Sequence, residues 1–286
     1  MRSITDLPPR SAHARFTPDF GQRFLLTVDL PGDDAPELEV LAAFQRLCEE
    51  DGATPLYFAG AGAAGPQAMR AVLPAALATG RAELGVLYPE RADPDRLERL
   101  IDELEQHFGA APVIGRVAAS NAEPPSPSVL IESGLGLDSS VHPNCDLSLV
   151  GGADLRRHPL HPYWLGEDRM LLELPQTTVF WGLLRRQGEW LHPLLARAPG
   201  WQRLAAWLGL LERITLSPQE ADVEQAIRAI DIALDDRLPL LVLSCRLPDR
   251  AGFPGFADWW QRVLAYLELR RVPGTSVAAL MRTVER

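Results

Sequence analysis

Apolar and polar positions along the chain follow two alternating periods. Residues 23–29 (RFLLTVD) form a nearly continuous apolar run that stops on Asp29, the pattern of a strand buried on both faces. Pro31-Gly32 then predicts a turn. In residues 36–50, Leu38, Leu41, Phe44, Gln45 and Cys48 recur at three- and four-residue spacing, which predicts a helix that Gly52 ends. The same alternation predicts strands at 54–58, 82–87, 112–117, 135–140 and 170–174, with helices at 67–79, 93–107 and 126–134 between them. Asp93 is the expected N-cap of the third long helix and Pro94 its first helical residue. Residues 144–168 read as a long irregular loop. A Trp- and Leu-rich helical region follows at 181–211, then a short strand at 213–216, a helix at 218–235, a buried strand at 239–244 and a helix at 256–269.

Repeated strand–helix units with apolar strands predict a parallel sheet. About seven units without a Gly-rich dinucleotide fingerprint favour a closed or nearly closed barrel over an open doubly wound sheet. GAGAAG (60–65) lacks both the spacing and the lysine of a phosphate loop and reads as a plain loop. No linker divides the chain, so the expected organisation is an N-terminal extension at 1–20 and one domain at 21–286. An acid at the C-terminal end of a parallel strand stands where α/β enzymes place catalytic groups, which makes Asp29 the first candidate.

Composition narrows the partners. The formal net charge of −10 disfavours nucleic acid and an anionic membrane surface. All 28 basic residues are arginine, so no Schiff-base or phosphate-loop lysine exists. Cys48, Cys145 and Cys245 lie far apart, without a metal-ligand spacing, and fit a reducing compartment. Residues 1–16 contain no apolar signal core and no run reaches membrane-spanning length. The expected location is the cytoplasm.

Six segments carry a family resemblance: GQRFLLTVD, LAAFQRLCEEDGATPLYF, ESGLGLDSSVHP, LLELPQTTVFWG, LLERITLSPQ and PLLVLS, in this order. Together, over residues 21–280, they resemble the polysaccharide deacetylases of the NodB-homology type, and in particular their WalW-like branch. The resemblance implies an α/β fold, a distorted (β/α)7 barrel. It also implies a carbohydrate substrate and, in active members, a zinc or other divalent ion held at the strand ends by one Asp and two His. A second Asp serves as base and a C-terminal His as acid, and the metal polarises the acetamide carbonyl and activates water.

Position by position, the motifs are eroded. Thr27-Val28-Asp29 match the first motif, but Leu30-Pro31-Gly32 replaces its acidic run, and Asp33 and Asp34 fall out of register. The second strand ends Phe58-Ala59-Gly60, without an acid. Tyr88, before Pro89, stands where a metal-binding His is expected, and a phenol is a poor zinc ligand at neutral pH. Counting back from Asp138-Ser139-Ser140 puts Arg116 on the first Arg of the fourth motif and Ala119 on the second. Ser244-Cys245-Arg246 replaces Ser-Phe-His, so Arg246 occupies the place of the acid and cannot release a proton.

Asp29 and Arg116 are therefore the expected catalytic-site remnants, able to pair across the barrel mouth. No metal ligand set and no cofactor are expected. Tyr88, Arg246 and Trp164 are the candidate substrate contacts, Arg246 for an anionic group such as a uronate carboxylate and Trp164 as a sugar platform. His142, His158, His161 and His192 read as loop polar groups, Cys245 as a packing residue, and the tryptophans chiefly as core or interface. The segment FWGLLRRQGEWLHPLL reads as amphipathic. The leading expectation is a degenerate, metal-free deacetylase-like protein that binds carbohydrate or a partner in surface-polysaccharide metabolism. The alternatives are an active divergent carbohydrate deacetylase and a non-catalytic subunit that oligomerises with itself or with an active paralogue.

Overall fold

Strand β1 (Arg23–Leu30) shows why the sheet is two-sided. Phe24, Leu26, Val28 and Leu30 join one apolar cluster and Leu25 another, because successive side chains leave a strand on opposite faces. The first cluster fills the space between sheet and helices. The second fills the concave interior with Phe58, Leu87, Ile114, Leu172 and Val242. Asp29 shares the parity of Leu25 and so belongs to the concave face, at the strand's C-terminal end. The computed structural model describes residues 18–30, 36–62, 66–89, 93–118, 126–146, 154–165 and 170–284. The expected turn at Pro31-Gly32, the acids Asp33 and Asp34, Ala119, residues 63–65 of the glycine-rich loop and residues 1–17 of the expected extension lie outside them.

The helices alternate with strands as the periodicity predicts. After β1 come α1 (Leu38–Glu50), β2 (Leu56–Gly60), α2 (Gln67–Ala78), β3 (Glu83–Tyr88), α3 (Pro94–Phe108), β4 (Gly115–Val117), α4 (Pro127–Glu132) and β5 (Leu137–Asp138). The Asp93 side chain accepts from the Arg96 N–H at 2.8 Å, capping α3, and Gly109 at φ 71° closes it. There follow β6 (Tyr163–Leu165), β7 (Leu171–Glu173), β8 (Thr178–Trp181), α5 (Gly188–Ala196), α6 (Pro199–Trp207), β9 (Glu212–Thr215), α7 (Val223–Asp235), β10 (Leu240–Arg246), α8 (Phe253–Leu269) and α9 (Val277–Val284). Helix α7 starts later than its apolar spacing predicts. Asp222 and Gln225 form a reciprocal capping box there, and Ser217–Glu220 turn instead.

Among the described residues one sheet runs β10-β1-β2-β3-β4-β5-β7-β6 and a separate ladder pairs β8 with β9. All neighbours in the large sheet are parallel except the β6–β7 edge pair. The sheet does not close strand to strand. Thr177 bridges the gap instead: its N–H donates to the Val242 carbonyl and its hydroxyl accepts from the Val242 N–H, while Leu216 donates to its carbonyl. The architecture is thus the distorted barrel that the strand–helix count and the resemblance lead one to expect.

Three elements escape the sequence pattern. β6 interrupts the expected loop at 144–168, β8 lies just before the region expected to be helical and takes its first residue, Trp181, and α9 follows the last expected helix. Among the described residues no helix is long and apolar enough to cross a membrane.

Candidate functional site

The C-terminal ends of β1, β4 and β10 converge on a guanidinium. Arg116 takes the concave parity of β4, beside Leu87 of β3, and is only 1 % exposed. Its Nη1 donates to Asp29 Oδ1 at 2.9 Å and to Ser244 Oγ at 3.2 Å. Nε donates to the Ser139 carbonyl at 3.1 Å and Nη2 to Ser139 Oγ at 2.9 Å. Its carbon end lies over the Phe58 ring, 4.2 Å from the centroid, a cation–π contact. A buried cation needs this full set of acceptors and a counter-charge. Gly85 makes room for the platform: a Cβ there would come within 2.7 Å of the Phe58 ring.

Asp29 is the partly wet member of the pair, with its side chain 17 % exposed. It opens on a cavity of about 270 Å³ lined also by His142, Gln176, Thr215, Ser217 and Arg246. Asp29 and Arg246 are lateral register partners on β1 and β10. Gln219 holds the Arg246 backbone on both sides, donating to its carbonyl at 2.9 Å and accepting from its N–H at 3.1 Å. The Arg246 side chain is left exposed at the mouth. Burial lowers His142 to about 3, with Arg116 and Arg213 adding to the shift, so its imidazole is neutral at physiological pH.

Behind the site, on the helix-facing side of the sheet, lies a second polar group. Asp138 and Glu173 are register partners on β5 and β7, and both are fully buried. Asp138 Oδ1 accepts from the Tyr88 hydroxyl at 2.8 Å and from Ser140 Oγ at 2.8 Å. Glu173 Oε1 accepts from the Val141 N–H at 3.0 Å. The remaining oxygens, Asp138 Oδ2 and Glu173 Oε2, have no hydrogen-bond partner among the described residues. A proton shared between these register partners would satisfy both atoms. Burial pushes both carboxyls up, and the Asp138 charge adds to the rise of Glu173.

The expected site residues divide. Asp29, Arg116 and Arg246 come together at one cavity. Tyr88 does not join them: Leu87 takes the concave register, so Tyr88 turns outward, fully buried, and spends its hydroxyl on Asp138 and Ser140. Trp164 lies in edge strand β6 rather than in a loop, packed on the apolar cluster, and is not among the residues lining the cavity. The loop histidines also depart from the expected surface role. His142 lines the cavity, and His158 is buried with its ring nitrogen 2.8 Å from the Tyr163 hydroxyl. Cys245 is buried, as a packing residue should be, and burial pushes its thiol up. Ser139 and Ser244 were not singled out by the sequence. Their strand parity, two residues after Leu137 and two before Arg246, is the signal that finds them.

The donor set does not fit a resident divalent metal. The Asp29 carboxylate already holds a guanidinium and a second arginine flanks it, while the other possible donors lining the cavity are His142, Glu220 and Cys245. Among the described residues no three His, Cys, Asp or Glu side chains gather where they could hold an ion. A divalent ion at Asp29 would have to displace or oppose Arg116.

No family model matches the chain, and no curated protein matches it. Solved structures do. A peptidoglycan N-acetylglucosamine deacetylase superposes with a TM-score of 0.51 at 10% identity, over 93% of this chain and 90% of that one. A family 4 acetyl xylan esterase from Clostridium thermocellum gives 0.48 at 11% identity, over 91% and 90%. A CE4 family pseudoenzyme from Bacillus anthracis gives 0.44 at 8% identity, over 91% and 66%. At such identities the first match shows a shared fold, and the two weaker ones carry no argument about chemistry.

Proposed function

We propose that this chain, which has the fold of a peptidoglycan deacetylase, is a catalytically degenerate, metal-free relative of the polysaccharide deacetylases that binds an acidic saccharide. The observation that carries the reading is the Asp29–Arg116 pair. The carboxylate that would serve a metal or a water molecule is held at 2.9 Å by a buried cation, in a cavity whose mouth bears a second arginine, Arg246. The exposed Arg246 guanidinium and the neutral His142 imidazole suit a sugar that carries a carboxylate, in a cavity also lined by Asp29, which pairs with Arg116, and by Glu220. Arg246 supplies charge-assisted hydrogen bonds, and His142, Gln176 and Thr215 offer neutral ones to ring hydroxyls. The cavity is at the small end for a ligand site, which favours one sugar unit of a longer chain.

Calorimetric titration with uronic-acid oligomers and with neutral chitooligosaccharides tests this. The expected result is binding of the uronic-acid series, weakened roughly 10- to 100-fold by Arg246→Ala, as loss of a charged hydrogen bond predicts, with no release of acetate from acetylated substrates. Equal affinity for both series, or no effect of Arg246→Ala, rejects the acidic ligand. The second reading, an active divergent deacetylase, draws support from the neutral His142 beside the cavity. Acetate release abolished by Asp29→Asn decides for it.

A further inference from the structure

The β8–β9 ladder has two ends with different surroundings. At one end Thr178 faces Thr215, which lines the cavity. At the other, Trp181 faces Glu212, and residues 182–211 leave the barrel as a 3-10 turn, α5 and α6. This excursion is tied at its base, where Leu183 and Leu184 donate to the carbonyls of Gly209 and Leu210 at 3.0 and 2.8 Å. Between the helices, Gln202 Nε2 lies 3.2 Å from His192 Nε2. It is a built feature of the surface.

Among the described residues, seven of the eleven exposed large hydrophobic side chains lie in this one stretch. On α6 and its C-cap Leu208, the residues Trp201, Leu204, Trp207 and Leu208 fall within an arc of about 120° at 100° per residue, and Trp201 and Trp207 are 66 % and 81 % exposed. Trp190 and Leu194 share one face of α5, and Leu183 stands beside the end of α6. Exposed large apolar side chains concentrated in one short stretch mark an interaction surface. The charge is as uneven as the hydrophobicity. Residues 182–211 hold four arginines against one glutamate, a net +3 within a chain of −10, so the remainder carries −13. Arg186, Arg197 and Arg203 are exposed.

We infer that α5 and α6 form a docking surface for an anionic lipid bilayer. Tryptophan and leucine on one side with arginine alongside is the pattern that seats in the headgroup boundary. Indole rings and acyl-chain contacts supply the apolar part, and guanidiniums meet the lipid phosphates. A second copy of the chain is the poorer occupant, because a two-fold contact would press the same arginines against each other. The acidity of the rest of the chain repels the bilayer, which confines contact to this patch and sets the approach. The cavity lies at the other end of the ladder, so docking leaves it open. The overall negative charge argues against a membrane only as an average; the local sign is opposite.

The test is co-sedimentation of the full chain with phosphatidylcholine vesicles, with and without phosphatidylglycerol. Two multiple variants accompany it, Trp201→Ser with Trp207→Ser, and Arg186→Gln, Arg197→Gln and Arg203→Gln together. All five side chains are exposed, and an unchanged melting temperature verifies folding. The expected result is partition onto phosphatidylglycerol vesicles, with a blue-shifted tryptophan emission and a steep loss with salt. The tryptophan pair should abolish it, and the arginine triple should weaken it roughly 100-fold, from the attraction of each basic group to the surface. No partition onto anionic vesicles, or partition unchanged by either variant, overturns the proposal. So does a lipid-free dimer in the ultracentrifuge that the tryptophan pair dissolves.

Discussion

Replacing Asp29 by alanine should cost about 3–5 kcal/mol of folding stability, the range for stripping the counter-charge from a buried ion pair. Arg116 is 1 % exposed and cannot neutralise itself by losing a proton, so its charge would stay buried with only serine and carbonyl acceptors. The reverse change is expected to cost less. In Arg116→Met the apolar chain keeps its place over Phe58, and Asp29, with its side chain 17 % exposed, can take water from the cavity. Urea unfolding of both variants measures the asymmetry. The account requires Asp29→Ala to be the more damaging; equal costs, or a near-neutral Asp29→Ala, would show that the pair does not hold the mouth together.

The second large effect is on pH dependence. The folded state raises Glu173 well above its ordinary 4.5, first through burial and then through Asp138. A carboxyl raised on folding contributes stability that is fully present below the unfolded value and lost as pH rises through the folded one. Wild-type stability should therefore fall, through this group, as pH climbs from about 4.5. In Glu173→Gln the amide carbonyl can still accept from Val141 and the NH2 can donate to Asp138, with no proton to lose. Melting temperatures followed from acid to alkaline pH should show the variant gaining on the wild type as pH rises. Parallel curves would mean that the two carboxyls do not share a proton.

Much of this site was legible in the sequence. Asp29 is legible as the end of an apolar strand, Arg116 and Arg246 through the motifs of the family that the sequence resembles, and the structure brings all three to one cavity. The barrel followed from repeated strand–helix units, and the Asp93 cap from its position before Pro94. What the sequence hid was parity. Tyr88 and Leu87 are adjacent, and one residue of register decides which faces the cavity; the motif pattern pointed to Tyr88, and the strand turned it away. Trp164 looks like a loop residue in the sequence because Pro162 and the flanking polar residues mask a three-residue strand. His142 carried no local signal at all, since its place in the cavity depends on where the chain goes after β5. The surface charge of α5 and α6 was hidden in a different way, by averaging over an acidic chain.

The central claim is that the cavity beside Asp29 is built around Arg116 and not around a metal ion. The most direct measurement is titration of chelator-stripped protein with zinc and with cobalt, followed by metal analysis after desalting. The account predicts no stoichiometric retention of either ion, in wild type and in Asp29→Asn alike. One equivalent retained by wild type and lost in Asp29→Asn would contradict it, because the carboxylate would then be a ligand and its bond to Arg116 an exchangeable one.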